Sequence, residues 1–140
     1  MKNDSINKRF LEVLLILSGL ALAAAPTLAQ GKPELQIKSA KGPYFGTFNA
    51  ERTRFMSTCF VDSEIQIVDL KSNRPVGRFY AGYEPVGIAA ASSGDKILVT
   101  NLSPGLVKVI STKNYEILDD IKVGGRPSHI ILSSNGLHAY

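Results

Sequence analysis

The sequence predicts an all-β fold, a β-propeller of four-stranded antiparallel blades, and two observations lead to that prediction. First, residues 65–98 align without a gap with residues 107–140, at an offset of 42 residues. Second, each period contains four short apolar runs separated by turn-forming residues. A fixed period of about 20 to 50 residues indicates stacked units, and four strands in about 40 to 45 residues are typical of a propeller blade.

The aligned copies agree mainly at turn residues. Glycine and proline recur where the backbone needs them, which makes these identities more informative than scattered ones. A further step of 42 residues towards the N-terminus brings Pro43 into register with Pro85, and it places Arg52 where Gly94 stands. The identical pairs are Lys71 and Lys113, Gly82 and Gly124, Pro85 and Pro127, Ile88 and Ile130, Ser92 and Ser134, and Gly94 and Gly136.

The strands of the best-preserved copy follow from its apolar runs. Pro85 is expected just before the innermost strand, where it needs no ladder partner. The small residues of that strand suit a position crowded near a central axis. The two middle strands are apolar on both faces, as expected for a blade between two neighbours. In chain order the predicted strands are residues 87–91, 96–100, 106–111 and 115–123.

This phase of the repeat predicts about two and a half blades. An outer strand is expected at 34–38, whole blades at 43–81 and 85–123, and an incomplete blade at 127–140. Propellers contain about four to eight blades. We therefore expect the chain to be the N-terminal part of a longer protein, with the downstream blades of that protein as its first partner. A ring assembled from several copies of a short chain is the alternative.

The first 29 residues predict a secretory signal peptide. A basic start with Lys2, Lys8 and Arg9 is followed by thirteen uninterrupted apolar or small residues at 13–25. This run is shorter than the roughly 20 residues needed to span a bilayer, so no stable membrane span is expected after cleavage. Cleavage is expected between Ala29 and Gln30, which places the mature chain in the periplasm or outside the cell.

Charge and cysteine content narrow the function classes. Without the three bases and two acids of residues 1–29, the net charge is +3, and the remaining bases are spread along the chain among acids. A nucleic-acid partner is therefore not expected, because it would need a clustered basic surface. The single cysteine, Cys59, lies in the apolar context FMSTCF and is expected to be a buried, inert thiol.

One family matches these motifs. The run Val99-Thr100-Asn101, with Pro85 upstream, resembles the YVTN-type β-propeller repeat of exported bacterial and archaeal proteins. Asn101 takes the family's asparagine position, Leu98 replaces its tyrosine, and the resemblance covers residues 34–140. It implies the propeller fold and leaves function open, because such propellers serve as enzyme subunits, binding scaffolds and surface-layer modules.

His129 is the one candidate metal ligand. It follows Pro127 by two residues and opens an innermost strand, so its imidazole is expected near the central channel. Resemblance to periplasmic propellers implies copper or haem ligation there, although the aligned residues Phe45 and Gly87 are not ligands. A lone histidine is more often structural. No haem-attachment, zinc-protease or serine-hydrolase motif is present in the sequence.

Other side chains leave alternatives open. Asp119 and Asp120 are interpreted as a solvated outer edge. Tyr80, Tyr83 and Tyr115 lie near blade ends, where they either pack or stack on a ligand.

Two functions are compatible with these patterns. The first is an exported propeller scaffold that binds a protein, a glycan or a small ligand, with no cofactor and no catalytic residues in this segment. The alternative is a propeller subunit of a periplasmic redox enzyme, of the quinoprotein or metal-dehydrogenase type, with metal or haem at the axis. The lack of a catalytic constellation in the sequence favours a role other than catalysis for this chain.

Overall fold

The computed structural model describes residues 36–140, which form two four-stranded antiparallel sheets. In each sheet the strands are hydrogen-bonded in chain order, as a meander. The signal peptide and its cleavage residues Ala29 and Gln30 lie outside the described residues. The first sheet contains β1 (Pro43–Phe48), β2 (Arg54–Cys59), β3 (Glu64–Asp69) and β4 (Arg74–Tyr80). The second contains β5 (Pro85–Ala90), β6 (Lys96–Asn101), β7 (Leu106–Ser111) and β8 (Ile117–Lys122).

The all-β fold class is confirmed, with each sheet forming one propeller blade. Strand β5 packs against β1 and β2 of the preceding blade, so the first strands of the two blades are the inner ones. Residues 36–140 include no helix that is long and apolar enough to cross a membrane.

The hydrophobic core lies between the two blades. The middle strand β3 is buried on both faces from Ile65 to Val68, as its apolar sequence predicted. Each fully buried isoleucine contributes about 1.5 to 3 kcal/mol relative to an exposed one, so the blades stabilise each other chiefly by this contact. The core contains Met56, Ile65, Ile67 and Ala81 of the first blade, and Ile88, Ile97, Val99 and Ile110 of the second.

The 42-residue period is also present in the backbone. Left-handed residues, with positive φ, recur at the same repeat position even where glycine is absent from one copy. Arg52 has a φ of 53°, whereas the aligned Gly94 and Gly136 have 75° and 69°. The sets are Gly42 and Glu84; Arg52, Gly94 and Gly136; Ser63 and Gly105; Asn73 and Tyr115; and Gly82 and Gly124.

The structure corrects the position of the prolines. Pro85 is the first residue of β5 and pairs with Asn101, just as Pro43 pairs with Cys59. The expectation that the proline precedes the strand without a ladder partner is therefore wrong. The first position of a strand tolerates proline, and here the register shifts before Ile88, so the regular ladder does not depend on the proline nitrogen.

Neither incomplete part of the repeat contains a regular strand within the described residues. In the described part of the outer strand expected at 34–38, residues 36–38 are not in a strand; the Gln66 side chain instead bonds Lys38 O and Ala40 N. In the incomplete blade, residues 131–140 form a hairpin with one isolated bridge, Leu132 to Ala139. A regular ladder needs a neighbouring strand of the same blade, and the described residues supply none for residues 36–38.

Candidate functional site

The blade end at which Pro43 and Pro85 lie carries the loops that connect one blade to the next. We call it the proline end. It also carries the loops that follow Cys59 and Asn101, because these residues pair with the two prolines. Loops held by a rigid scaffold are common places for binding residues, so this end is the first candidate surface.

Two threonines connect the blades at the proline end. Thr58 Oγ1 accepts a 2.9 Å hydrogen bond from Phe45 N and donates one of 2.9 Å to Val86 O of the next blade. Thr100 Oγ1 likewise accepts from Gly87 N at 2.7 Å and donates to Ser128 O at 3.1 Å. Each hydroxyl accepts from a backbone nitrogen at the register shift between the first two strands of its own blade. This role was not predicted from the sequence, although the two threonines align at the 42-residue offset.

Asn101 is fully buried and holds the loop between the blades. Its Nδ2 donates hydrogen bonds to Ala81 O at 2.9 Å and to Tyr83 O at 2.8 Å. Leu102 N donates to Glu84 O at 3.0 Å. Asn101 is the last residue of β6, and from there its amide reaches the neighbouring loop.

Cys59 occupies the position of Asn101 in the first blade. Its thiol is free and buried, as predicted, and lies 3.7 Å from Ser57 O. A buried thiol in an apolar setting behaves as a small hydrophobic group. Cys59 therefore belongs to the packing of the blade and not to the candidate surface.

An ion pair between a buried lysine and a half-exposed aspartate supports the same loop. Lys108 Nζ lies 2.7 and 2.8 Å from the two carboxylate oxygens of Asp120. Gly82, with a φ of 88°, leaves room for this pair, since a Cβ there would collide with Lys108 Cε and lie 2.7 Å from Asn101 Nδ2. Asp120 is 46% exposed and β8 is exposed along its whole length, which agrees with the interpretation of a solvated outer edge. Asp120 lies directly opposite Lys108 in the β7–β8 ladder, a pairing the linear sequence does not display.

His129 lies on the inner side of the blades, beside Phe45. The two rings meet edge to face with centroids 5.2 Å apart, and His129 Nδ1 is 3.1 Å from Ser128 Oγ. Gly87 allows this approach: a Cβ there would be 2.6 Å from Ser128 O. Among residues 36–140, no three His, Cys, Asp or Glu side chains come together as a metal site. Metal binding at His129 stays a prediction.

The three tyrosines divide into two groups. Tyr115 stacks on Phe79 between the blades, with centroids 4.6 Å apart, so its role is packing. Tyr80 and Tyr83 remain exposed, at 53% and 70%, and meet edge to face with centroids 6.4 Å apart. The alternative of ligand stacking therefore concerns Tyr80 and Tyr83 alone.

The opposite end of the blades carries a polar cleft of about 350 Å³ between the two blades. Glu51, Arg54 and Tyr115 line it, and Arg54 Nη1 donates a 3.1 Å hydrogen bond to the Tyr115 hydroxyl.

Two aspartates stabilise turns at this opposite end. Hydrogen bonds from Ser72 N and the Ser72 hydroxyl lower the pKa of Asp69. A hydrogen bond from the Ser93 hydroxyl lowers the pKa of Asp95. Neither carboxylate is buried, so these shifts describe local turn geometry and do not indicate acid or base chemistry.

Comparison with known proteins shows the fold alone. No protein-family model matches the chain, and no curated protein sequence matches it. Among solved structures, it is similar to Kuenenia stuttgartiensis hydrazine synthase, with a TM-score of 0.69 and 23% identity over 79% of this chain and 31% of that chain. It is also similar to the β-propeller domain of Cps50 (Swd1) from Myceliophteria thermophila, with a TM-score of 0.60 and 11% identity over 68% of this chain and 30% of that chain.

The chain thus spans about a third of each of these two structures, 31% and 30%. Both comparisons support a partial β-propeller. The narrower resemblance to the YVTN-type repeat stays a prediction.

Proposed function

We propose that this chain is part of an exported β-propeller scaffold that binds a protein, a glycan or a small ligand through the loops of its proline end. The observation that carries the proposal is the loop between the blades, which Asn101 and Leu102 hold in place while Tyr80 and Tyr83 remain exposed. A fixed backbone that presents exposed aromatic rings suits recognition. The proposal includes no cofactor.

Export belongs to the same proposal. It rests on the basic start and apolar run of residues 1–29 and locates the mature chain in the periplasm or outside the cell. Expression in a bacterial host, followed by N-terminal sequencing of the exported protein, tests this part. We expect the mature chain to begin at Gln30, and a chain retained in the cytoplasm with Met1 intact would contradict export.

The first partner is a further blade of the same repeat. Val123 is 51% exposed on the open face of the second blade, whereas the aligned Ala81 of the first blade is fully buried against the second. Leu98 and Val107 line the same open face, an apolar groove of about 320 Å³. Thr100 donates a hydrogen bond to Ser128 O, just as Thr58 donates one to Val86 O. This shared bond supports a further blade in the same position relative to the second blade as the second has relative to the first. Downstream blades of the same protein fit this face.

The oligomeric state of the chain tests this partner. If the open face is built for downstream blades, the isolated chain is monomeric when dilute, and adding the downstream segment covers the face. A stable ring of several copies, measured by sedimentation velocity, would contradict the downstream-blade partner and support assembly from short chains.

The alternative is a propeller subunit of a periplasmic redox enzyme of the quinoprotein or metal-dehydrogenase type. Two observations favour it: His129 is exposed on the inner side of the blades, and one similar structure is a hydrazine synthase. Under this alternative the axis holds a metal or haem.

An absorbance spectrum and metal analysis of the exported protein separate the two functions. The scaffold proposal predicts no stoichiometric metal or haem. The alternative predicts a bound group that is lost in His129→Ala and kept in His138→Ala, the matched control.

A further inference from the structure

The loop between the two blades departs from the repeat at positions that the fold does not require. Ala81 is fully buried and Gly82 makes room for Lys108, so both serve the architecture. Tyr80, Tyr83 and Glu84 have no such role. The corresponding residues are Lys122, Gly125 and Arg126 after the second blade, and Lys38, Lys41 and Gly42 before the first.

The exposure of the two tyrosines does not result from the open ends of the chain. Tyr83 lies in a loop between two complete blades. Tyr80 aligns with Lys122 of the second blade. Lys122 is exposed even though the first blade packs against its blade on the N-terminal side. A blade placed before the first one would therefore leave Tyr80 accessible in the same way.

Glu84 has a backbone conformation that glycine adopts more easily. Its φ is 48°, and the corresponding residue of the preceding loop is Gly42, with a φ of 67°. A left-handed conformation costs free energy for any residue that carries a Cβ, and such costs are often found at functional positions. The chain thus keeps a carboxylate where glycine would fit the backbone better.

The chemistry of this loop is opposite to that of its counterparts. Aromatic ring faces attract cations, and Glu84, the next residue after Tyr83 in the chain, adds a carboxylate to this loop in a chain whose net charge is +4. Glu64 lies opposite Tyr80 in the β3–β4 ladder, with Arg78 Nη1 3.5 Å from its Oε2. The corresponding loops carry lysine, arginine or glycine at these positions and no acid or aromatic residue, so the acidic and aromatic character belongs to this loop.

We propose that Tyr80, Tyr83 and Glu84 form a docking site for an arginine side chain of a partner protein. A planar guanidinium stacks on a tyrosine ring and pairs with a carboxylate at the same time. The exposed edge-to-face pair does not enclose a small ion, which favours a cation presented by a larger partner. This inference rests on the proposed scaffold function and specifies its partner.

The test titrates the full chain with a blocked Gly-Ser-Arg-Ser-Gly peptide, followed by backbone amide NMR. The same peptide with alanine in place of arginine and tetramethylammonium chloride are the comparison ligands. We expect the arginine peptide to shift the signals of residues 80–84 and to bind at least about fivefold more tightly than the alanine peptide.

Variants then separate binding from folding. Tyr83→Ala and Glu84→Gly are each expected to weaken arginine-peptide binding by about threefold or more. Glu84→Gly is expected to leave the melting temperature unchanged or higher, since it relieves the left-handed backbone, so its binding loss would not reflect unfolding. Tyr44→Ala is the matched control: Tyr44 is 61% exposed outside this loop, and the variant is expected to bind normally.

Equal affinity for the arginine and alanine peptides would overturn the site. An equal loss in Tyr44→Ala would do the same, and equal affinity for tetramethylammonium would overturn the protein partner. An exported protein that holds a partner through another loop would overturn this site and leave the scaffold function standing. A bound haem or metal would overturn the scaffold function whatever the peptide result.

Discussion

Thr58 and Val86 connect the two blades through one hydrogen bond, 2.9 Å from the threonine hydroxyl to the backbone carbonyl oxygen. The same hydroxyl accepts from Phe45 N, where the β1–β2 register shifts. Thr100 makes the corresponding pair of bonds with Gly87 N and Ser128 O. One side chain per blade therefore satisfies its own inner strand and positions the next one.

Replacement of this hydroxyl is expected to destabilise the fold. Thr58→Val keeps the shape of the side chain but leaves Phe45 N and Val86 O without their partner. The expected loss in the free energy of unfolding is about 1 to 3 kcal/mol, the cost of buried polar groups left unpaired. Urea denaturation followed by circular dichroism measures it. Thr47→Val is the control, because the Thr47 hydroxyl makes only a weak 3.4 Å bond to Phe48 O. Equal stability of the two variants would refute the role of Thr58.

Gly87 is expected to tolerate no larger side chain. A Cβ at this position would lie 2.6 Å from Ser128 O and 2.7 Å from Thr100 Oγ1, both held by the contact between blades. Gly87→Ala is expected to lower the free energy of unfolding by about 1 to 3 kcal/mol, as overpacking does in a close-packed core.

Gly77→Ala provides the control for that substitution. A Cβ on Gly77 would meet Ile67 Cδ1 at 3.8 Å, an ordinary contact. Thermal unfolding of the two variants should therefore differ clearly. If Gly87→Ala unfolds at the same temperature as Gly77→Ala, the two innermost strands are not packed as closely as described.

The sequence predicted the fold at positions where the backbone conformation allows only a few residue types. Proline at 43, 85 and 127 and glycine at 82, 94, 124 and 136 recur because few residues substitute for them. The period, the number of strands and their apolar faces followed from that recurrence.

Contacts between residues far apart in the chain could not be predicted in this way. Threonine is common in strands, so the recurrence of Thr58 and Thr100 at the 42-residue offset does not by itself reveal a bond from Thr58 to Val86 of the next blade. Lys108 and Asp120 meet only through the β7–β8 register. The exposure of Tyr80 and Tyr83 also depends on where the loop turns, which Asn101 determines.

Arg52 offers a stabilising substitution. It has a φ of 53° and is exposed, while the aligned Gly94 and Gly136 adopt the same conformation without a Cβ. Arg52→Gly is expected to raise the free energy of unfolding by about 0.5 to 1 kcal/mol, because relief of the left-handed cost exceeds the entropy lost with glycine.

Arg74→Gly is the matched control for this gain. Arg74 is exposed at the start of β4, outside the positive-φ positions, so glycine there is expected to cost about 0.5 to 1 kcal/mol. Chemical denaturation of both variants under one condition checks the opposite signs. A loss of stability in Arg52→Gly would mean that its side chain contributes more than the backbone strain costs.

The Lys108–Asp120 pair predicts that Asp120→Ala lowers the free energy of unfolding and that a second substitution, Lys108→Gln, recovers part of this loss. Lys108 is buried and Asp120 is 46% exposed, so Asp120→Ala leaves a buried ammonium without its counter-ion. Removing one partner of a fully buried pair costs about 3 to 5 kcal/mol, and the half-exposed carboxylate reduces the expected loss to about 1 to 2 kcal/mol. Asp119→Ala, at the neighbouring exposed acid, is expected to change stability by less than about 0.5 kcal/mol.

The first blade indicates how this loss can be recovered. Gln66 stands where Lys108 does, and its neutral amide bonds Lys38 O and Ala40 N of the preceding loop. Lys108→Gln combined with Asp120→Ala removes the buried charge and supplies the same amide, so the double variant should be more stable than Asp120→Ala alone. Urea denaturation of the unsubstituted protein, Lys108→Gln, Asp120→Ala and the double variant forms a double-mutant cycle. Additive losses would show that Lys108 and Asp120 act independently and that the loop does not depend on their pairing.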